Sequence, residues 1–368
     1  MRKGWEYKKL GEVCCPKSKI QRATKCFGGS DEILYIDTSS IDNSVQEVNS
    51  ITSFTMSNAP SRAQQKVEYG DIIVSTVRPN LKNVAFIKQH DSNLVASSGF
   101  CVLRTTDDIE RNYLFRYITS DIFTQHLMKL TTGANYPAVR DLDVRDSTIP
   151  LPPKSTQLAI VSELDKINEL IRLKKEQLKD FDNLAQSLFY EMFGDPVENE
   201  KGWEVKKLGE VYKMKSGDSL STKSFEEGDI PVYGGNGISG YHNKYNKDGS
   251  YIIIGRVGVY CGNVRIVKGR FWLTDNAFEL LYDNSSQNEV FVCSLLTHLN
   301  LRQYANAAAQ PVISNNTLKH VSIPLPPLPL QHLFAHRIDQ IEHQKAEVQK
   351  AITDLETLLA SRMQYWFE

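Results

Sequence analysis

Residues 4–13 read GWEYKKLGEV and residues 202–211 read GWEVKKLGEV, so nine of ten positions are identical at a distance of 198 residues. A second identical stretch, IPLPP, occurs at residues 149–153 and again at 323–327, at a distance of 174 residues. Two motifs that recur in the same order indicate a duplicated structural unit. The sequences between the motifs differ, which predicts one scaffold that carries two different surfaces.

A long helix is predicted after each IPLPP stretch. Residues 155–193 and 330–367 contain neither glycine nor proline, and their apolar residues recur at steps of three and four. About 38 residues at 1.5 Å per residue span roughly 57 Å, and an apolar stripe of that length must be covered. We predict that the two helices cover each other as an antiparallel coiled coil; in the alternative, each helix packs on the domain before it. The predicted coiled-coil residues are Leu164, Ile167, Ile171, Leu178, Phe181, Leu184, Leu188, Ile338, Ile341, Ile352, Leu355 and Leu358.

The segments before the IPLPP stretches are rich in strand signals. Short runs of β-branched and aromatic residues are bounded by Gly, Asn and Asp, and each set is followed by a helical pattern, at 111–130 and at 288–305. We predict an α+β class with two β-rich domains, two long antiparallel helices and an internal pseudo-two-fold repeat. The predicted segments are a first domain at 1–153, a central spacer helix at 154–196, a second domain at 197–327 and a C-terminal spacer helix at 328–368. The predicted strands are 33–36, 71–77, 84–87, 100–103, 230–233, 251–254, 263–267 and 278–282.

Composition excludes several classes of protein. The 368 residues carry 43 basic and 44 acidic side chains, so net charge alone does not indicate a nucleic-acid partner. No apolar run approaches the ~18 residues of a membrane span, and no apolar stretch of a signal peptide follows the basic first residues. None of the six cysteines forms a C-x-x-C pair. We expect a cytoplasmic protein with reduced cysteines.

Motifs that could carry chemistry are incomplete. Residues 235–240, GNGISG, match G-x-G-x-x-G, but the turn-rich residues after them do not predict the helix that a dinucleotide site needs. We interpret them as a glycine turn that shapes a binding loop. His332 and His336 lie four residues apart without a third metal ligand beside them. We therefore predict no catalytic residue and no metal site.

The repeated W-E-x-K-K-L-G-E-V motif, the IPLPP stretch before Gln157 and Gln331, and the two long helices resemble the specificity subunits of type I restriction-modification enzymes. The resemblance covers essentially the whole chain. Residues 135–139 and 310–314 are similar to a loop of the target recognition domains in that family, and an offset of 174 aligns their Pro-Ala-Val and Pro-Val-Ile. GDIPVYGGNGISGY at 228–241 is similar to a recognition-domain signature that the first half lacks, which implies two domains of different subtypes.

The resemblance implies a non-catalytic subunit of a multisubunit adenine-DNA methyltransferase and ATP-dependent endonuclease. Each target recognition domain would read one half of a bipartite double-stranded DNA target. The helices would set the half-site spacing and bind two modification (methyltransferase) subunits, which restriction subunits then join. S-adenosylmethionine, ATP and Mg²⁺ are expected on those partners and no cofactor on this chain. The alternatives are the specificity subunit of a type IIB-like enzyme and a duplicated interaction scaffold without a DNA role.

Side chains that read DNA should lie in loops outside the strands. Arg, Lys, Asn and Gln recognise base edges, and basic or hydroxyl side chains bind phosphates. The predicted DNA-binding residues of the first half are Arg62, Lys66, Arg78, Asn80, Lys82, Tyr136 and Arg140. Those of the second half are Asn236, His242, Asn243, Lys244, Tyr245, Lys247, Arg256 and Gln310.

Overall fold

The computed structural model describes residues 4–133, 136–306 and 310–368. The chain divides into two compact units: unit 1 comprises Met1–Lys174 with Ala351–Glu368, and unit 2 comprises Lys175–Lys350. Each unit holds β-rich structure and part of both long helices. The mixed helix and strand class expected from the sequence is therefore confirmed.

Unit 1 places a three-stranded sheet between helices and a four-stranded sheet. The sheet orders are β10-β7-β8 and β5-β2-β9-β6, with two-stranded pairs β1-β11 and β3-β4. The elements are β1 Glu6–Lys9, α1 Leu10–Val13, α2 Ala23–Cys26, β2 Glu32–Ile36, β3 Ile41–Asp42, β4 Glu47–Val48, β5 Thr52–Thr55, β6 Ala63–Lys66, β7 Ile72–Ser75, β8 Val84–Phe86, β9 Leu94–Ser97, β10 Phe100–Leu103, α3 Arg111–Ile118, α4 Asp121–Leu130, α5 Asp141–Arg145, β11 Thr148–Leu151 and the start of α6 Lys154–Phe193.

Alternation along β7 explains these layers. Ile72 and Val74 lie in a buried cluster with α3 and the long-helix segments, whereas Ile73 lies in a second cluster with residues of β2 and β9. Successive strand residues point to opposite faces, so a run of apolar residues predicts a strand that is buried on both sides.

Unit 2 is built on one six-stranded sheet. Its order is β13-β18-β16-β17-β14-β15, in which β14 and β17 are parallel and the other neighbours antiparallel; β12 pairs separately with β19. The elements are β12 Glu204–Lys207, α7 Leu208–Val211, β13 Lys213–Ser216, β14 Ile230–Gly234, β15 Gly237–His242, β16 Lys247–Gly255, β17 Val264–Leu273, β18 Ala277–Leu281, α8 Glu289–His298, α9 Asn315–Leu318, β19 Ser322–Leu325 and α10 Leu328–Phe367.

Within each unit, the strand of the W-E-x-K-K-L-G-E-V motif pairs with the strand of the IPLPP stretch. In unit 1, β1 from the first motif pairs antiparallel with β11 from IPLPP, with Glu6 opposite Leu151. In unit 2, β12 and β19 pair in the same register, with Glu204 opposite Leu325. The glutamate of each LGEV turn accepts a hydrogen bond from the backbone N–H three residues earlier, at 3.0 Å in both units.

The glutamine after each IPLPP stretch is a buried connector. The Gln157 side-chain amide donates to the Pro152 carbonyl at 2.9 Å, and its oxygen accepts the Glu110 N–H at 2.7 Å. Gln331 makes the equivalent two bonds in unit 2, at 2.8 and 2.9 Å. The two residues are 1% and 2% exposed. Each glutamine therefore ties the start of a long helix to the start of the helix that follows the sheet.

Both predicted long helices are present, as α6 and α10. Their segments run in opposite directions within unit 2, where Lys345 Nζ lies 2.8 Å from Asp182 and the Phe189 ring packs on Phe334 at 5.8 Å. Most of the predicted coiled-coil residues are buried or half-buried. Leu184 and Leu358 are not, because they are 50% and 45% exposed, and their neighbours Ala185 and Leu359 pack inward instead.

Two helices are shorter than the sequence pattern predicted. The predicted helix at 111–130 is split into α3 and α4, because the Ser120 hydroxyl accepts the Phe123 N–H at 3.2 Å and starts a new helix. The predicted helix at 288–305 ends with α8, since Asn300 adopts a left-handed φ of 46°.

Candidate nucleic-acid interface

Two loops of equal length follow the central strands of the two units. Loop A, residues 75–83, connects β7 to β8, and loop B, residues 255–263, connects β16 to β17. In each loop the N–H of the first residue donates to the carbonyl of the last residue, at 2.9 Å in loop A and 2.8 Å in loop B. The two loops therefore close in the same way although only two of their nine residues, Val77/Val257 and Asn83/Asn263, are identical.

Each loop is anchored to the segment that the sequence offset of 174 aligns. The Arg78 N–H donates to the Pro137 carbonyl at 2.7 Å, and the Gly258 N–H donates to the Pro311 carbonyl at 2.9 Å. The N–H two residues after each proline donates back to the second residue of the loop, at 2.9 Å in both units. Because these bonds use backbone atoms only, they hold both loops whatever side chains the loops carry. Asn135, in the same segment of unit 1, lies outside the described residues.

The backbone of both loops turns left-handed at the same two positions. In loop B these positions are Gly258 and Gly262, with φ of 89° and 88°. In loop A they are Arg78 and Lys82, with φ of 50° and 51°. A left-handed conformation costs a residue with a side chain about 1–2 kcal/mol and glycine almost nothing. Loop A therefore keeps two basic side chains in a conformation that disfavours them.

Loop A brings four of the predicted DNA-binding residues to one surface. The Arg78 guanidinium lies 4.7 Å from the centre of the Tyr136 ring, which is 67% exposed. Asn80 is exposed on the same loop, and Lys82 Nζ lies 2.6 Å from a carboxylate oxygen of Asp121. Arg78 itself forms no ion pair within the described parts of the chain, so its guanidinium edge is available to a ligand.

Arg140 follows Tyr136 but has a partner of its own. Its guanidinium lies 2.6 Å from Asp143, and this hydrogen-bonded pair raises the pKa of Arg140 and lowers that of Asp143. The pair lies at the start of α5, where it supports the first turn. The Arg140 side chain nevertheless remains 77% exposed.

A polar cleft of about 810 Å³ lies beside loop A in unit 1. It reaches Thr76 of the loop and is lined by basic and amide side chains that the sequence prediction missed. The available signal was the polar run KSKIQRATK at 17–25. Backbone bonds place the predicted Arg62 and Lys66 next to the lining, through Ser98 at 2.7 Å and Gln21 at 2.9 Å. The basic and amide residues of the lining are Lys17, Gln21, Arg22, Lys25, Gln64 and Gln65.

Loop B packs against the glycine turn of the GNGISG stretch. A Cβ at Gly235 would lie 2.6 Å from the Val257 carbonyl oxygen, and one at Gly255 would lie 2.3 Å from the Gly235 oxygen. Strand β15 begins at Gly237, so no helix starts there to meet a dinucleotide. The turn presents the exposed Asn236 beside loop B. This geometry agrees with the interpretation of a glycine turn at a binding loop.

Of two further predicted residues, Arg256 belongs to loop B and Gln310 lies next to it. Arg256 is half-buried, with its guanidinium 5.3 Å from the centre of the Phe278 ring and Nη1 3.4 Å from the Asp275 carbonyl oxygen. Gln310 is exposed and precedes Pro311, which anchors the loop. Asn236, Arg256 and Gln310 therefore lie near one another in unit 2.

The other predicted residues of unit 2 lie at the far end of β15, from its last residue His242 to Lys247, the first residue of β16. Six strand residues at ~3.3 Å each place them roughly 20 Å from loop B. Asn243 and Lys244 are exposed and contact Glu226, at 2.7 and 3.8 Å, which lowers the pKa of that carboxyl. Tyr245 is 45% exposed.

His242 and Lys247 are not placed as the sequence predicted. His242 is 3% exposed, and its Nδ1 accepts the Glu226 N–H at 3.0 Å. Lys247 forms an ion pair with Glu279, and their side chains are only 14% and 7% exposed. Both side chains support the sheet, and their burial removes them from the candidates for DNA contact.

Residues 4–133, 136–306 and 310–368 contain neither a membrane-spanning helix nor a cluster of metal ligands. No helix in these ranges is long and apolar enough to cross a membrane. No three His, Cys, Asp or Glu side chains in the same ranges converge on a point where a metal ion could bind.

Comparison with known proteins identifies the fold. The family model described as the type I restriction modification DNA specificity domain matches residues 2–180 and 200–357. The chain belongs to this family. Its two matched regions each contain one of the two β-rich parts described above.

Known members of the family are similar along much of the chain. The specificity subunit of the type I restriction enzyme EcoprrI from Escherichia coli is 32% identical over 253 residues, which are 64% of this chain and 62% of that relative. The chain thus matches less than two thirds of that relative's length. The HsdS subunit from Thermoanaerobacter tengcongensis is 28% identical with a TM-score of 0.52, covering 100% of this chain and 97% of that one.

A second solved structure is similar over nearly the whole chain. It comes from work on complex assembly and conformational transition of the type I R-M system. The TM-score is 0.72 and the identity 28%, with 99% of this chain and 97% of that chain covered.

Proposed function

We propose that this chain is the DNA specificity subunit of a type I restriction-modification system, with each unit reading one half of a bipartite double-stranded target. The chain contributes sequence choice and no catalysis. Two modification subunits supply S-adenosylmethionine-dependent methylation of adenine, and restriction subunits supply cleavage that depends on ATP and Mg²⁺.

The observation that carries this proposal is the pair of loops A and B. Their backbones share the closing and anchoring hydrogen bonds, but loop A displays Arg78, Asn80 and Lys82 where loop B displays glycines and Tyr260. Sequence is read by side chains at base edges, whereas the backbone frame only positions them. One frame with two sets of side chains suits a protein that reads two unlike half-sites.

The long helices suit the two other proposed roles, which are to set the spacing of the half-sites and to bind the modification subunits. Both contain 40 residues, or about 60 Å at 1.5 Å per residue, and each begins in one unit and ends in the other. We expect them to pair as a coiled coil and to fix the half-site separation. In unit 1, α6 also carries a shallow groove of about 760 Å³ in which Leu158 and Leu170 are 53% and 47% exposed. Exposed apolar surface of this kind is typical of a protein partner, here a modification subunit.

The test is methylation by a reconstituted complex. The full chain, co-purified with the modification subunit encoded beside it, should methylate a single split sequence, mapped by sequencing of methylated adenines. The chain alone and the modification subunit alone should methylate nothing. Methylation by the chain alone, or no sequence preference in the complex, would contradict the proposal. A partner that both methylates and cuts would instead identify a type IIB-like enzyme.

A second arm of the experiment tests the helices. Four residues, about one turn, are inserted after Lys174 and after Lys350, so that both helices lengthen together. We expect the methylated target to acquire a longer spacer with unchanged half-sites. The control is the same insertion after Ser285, in an exposed loop of unit 2. An unchanged spacer in the helix variant would show that the helices do not set the separation.

A further inference from the structure

Arg78 combines three features that are unusual for a surface arginine. It has a left-handed backbone, with φ of 50°, at the position where loop B has glycine. Its N–H and its carbonyl are both used to hold the loop, in bonds to Pro137 and from Leu81. Its guanidinium rests against the exposed Tyr136 ring at 4.7 Å. Backbone and side chain are therefore both held before any ligand binds.

This arrangement is suited to direct base reading. A guanidinium stacked on a ring keeps its planar edge of N–H donors free, because the ring covers only its face. Such an edge matches the two acceptors, O6 and N7, that guanine presents in the major groove. A side chain that is fixed beforehand loses little conformational freedom on binding, so more of the contact energy remains for discrimination.

Two other predicted basic residues in or near loop A, Lys82 and Arg140, are arranged differently. Lys82 is paired with Asp121 at 2.6 Å, and Arg140 with Asp143 at 2.6 Å. A lysine is a point charge and suits a phosphate rather than a base edge. Among the described residues none forms an ion pair with Arg78, so this arginine of loop A has a donor edge that is held in place and available to a base.

Unit 2 has no arginine at this position of loop B and no aromatic ring at the position of Tyr136. The position equivalent to Arg78 is Gly258, and the position equivalent to Tyr136 is Gln310. The arginine of loop B, Arg256, is half-buried against Phe278. The chemistry of Arg78 therefore belongs to one unit only.

From this we infer that Arg78, positioned by Tyr136, reads a guanine in the half-site bound by unit 1, and that the half-site of unit 2 is read without such a contact. The inference rests on the proposed function. It makes Arg78 a specificity-determining residue and Tyr136 a positioning residue.

The experiment uses Arg78→Gly in the full chain with its modification subunit. DNA with both half-sites randomised is selected by binding and sequenced. The parent should select guanine at one position of the first half-site by about 5- to 150-fold over other bases. The variant should lose that preference at that position alone. Because glycine relieves the left-handed backbone, the variant should unfold in urea no earlier than the parent.

Three further variants separate base reading from other roles. Arg78→Lys should also lose the preference, since lysine lacks the paired donors. Tyr136→Leu should weaken the preference, and Tyr136→Phe should retain it, if the ring positions the guanidinium. Lys88→Ala, which removes an exposed charge of unit 1 that pairs with Glu47, should leave selection unchanged.

The outcomes distinguish a failure of the inference about Arg78 from a failure of the proposed function. If Arg78→Gly selects the same first half-site as the parent, the inference is wrong and the proposed function stands. If it weakens binding to all sequences equally and lowers the salt dependence, Arg78 contacts phosphate and the inference is again wrong. If the parent selects no split sequence, the proposed function itself fails.

Discussion

Loop A in unit 1 and loop B in unit 2 share the backbone hydrogen bonds that close and anchor them and the same left-handed positions, but they present different side chains. The anchors are N–H and carbonyl groups, which every residue except proline provides in full. A loop held in this way can change its side chains without losing its position. The comparison shows how one fold can keep its frame while its binding surface varies.

The shared loop backbone imposes steric constraints on different residues in the two units. In unit 1 the strain falls on Arg78 and Lys82, whose backbones are left-handed. In unit 2 the same positions are glycine, but close packing of the neighbouring turn makes Gly235 and Gly255 necessary.

A further difference between the units lies in the sheet. Ile73 pairs with Val102 in unit 1, whereas the equivalent Ile253 pairs with Glu279 in unit 2.

The largest expected effect on stability comes from removing the ion-pair partner of the buried Glu279 carboxylate. Lys247→Met leaves the Glu279 carboxylate, 7% exposed, without its partner and should lower the free energy of unfolding of unit 2 by about 3 kcal/mol. Hydrogen exchange of the β16 and β17 segments in increasing urea measures it. The exposed Lys244→Met is the control and should cost less than about 1 kcal/mol.

A double variant sharpens the result. Adding Glu279→Val copies the valine that unit 1 has at this register and should restore most of the stability that Lys247→Met loses. If the single variant is as stable as the parent, the pair is not needed for folding, and Lys247 returns to the candidates for DNA contact.

A smaller effect is expected from the first position of each loop. Gly255→Ala would place its Cβ 2.3 Å from the Gly235 carbonyl oxygen, so unit 2 should lose about 1–3 kcal/mol. Ser75→Ala, at the equivalent position of unit 1, removes the bond that the serine hydroxyl donates to the Val77 carbonyl at 2.8 Å and the one that it accepts from the Val77 N–H at 3.3 Å, and should cost about 1 kcal/mol. Hydrogen exchange of the β16–β17 and β7–β8 segments reports both. Equal costs would mean that the two loops pack alike.

The smallest effect concerns pH. Burial lowers the pKa of His298, whose ring stacks on Phe189 at 4.0 Å in unit 2. The folded state thus favours the neutral ring, so its contribution to stability is complete above the ordinary pKa of 6.5 and declines as the pH falls below that value. His298→Phe should flatten the stability of unit 2 between pH 7.5 and 5.5, measured by urea unfolding. A variant with the parent's pH dependence would assign that dependence to another group.

Part of the fold and of the candidate site could be predicted from the sequence. Local periodicity predicted the long helices, and apolar runs predicted fully buried strands such as β7 and β10. Strands such as β6, AQQK, were missed because their few apolar residues give no alternation, and pairing with β9 defines them. The cleft beside loop A was missed for the same reason, since residues 17–25 acquire a common surface only by folding next to β6.

By itself, the sequence determined that the chain is a duplicated unit with two long helices, and that its repeated motifs bracket unlike interiors. Those features are encoded by identity and spacing along the chain. Only the tertiary structure decided which polar side chains reach solvent. Lys244 and Lys247 both lie in the same polar stretch of sequence, but Lys247 is paired with Glu279, 32 residues away, and is 14% exposed, whereas the Lys244 side chain is 64% exposed. Exposure depends on partners that are distant in the chain, and local pattern does not contain them.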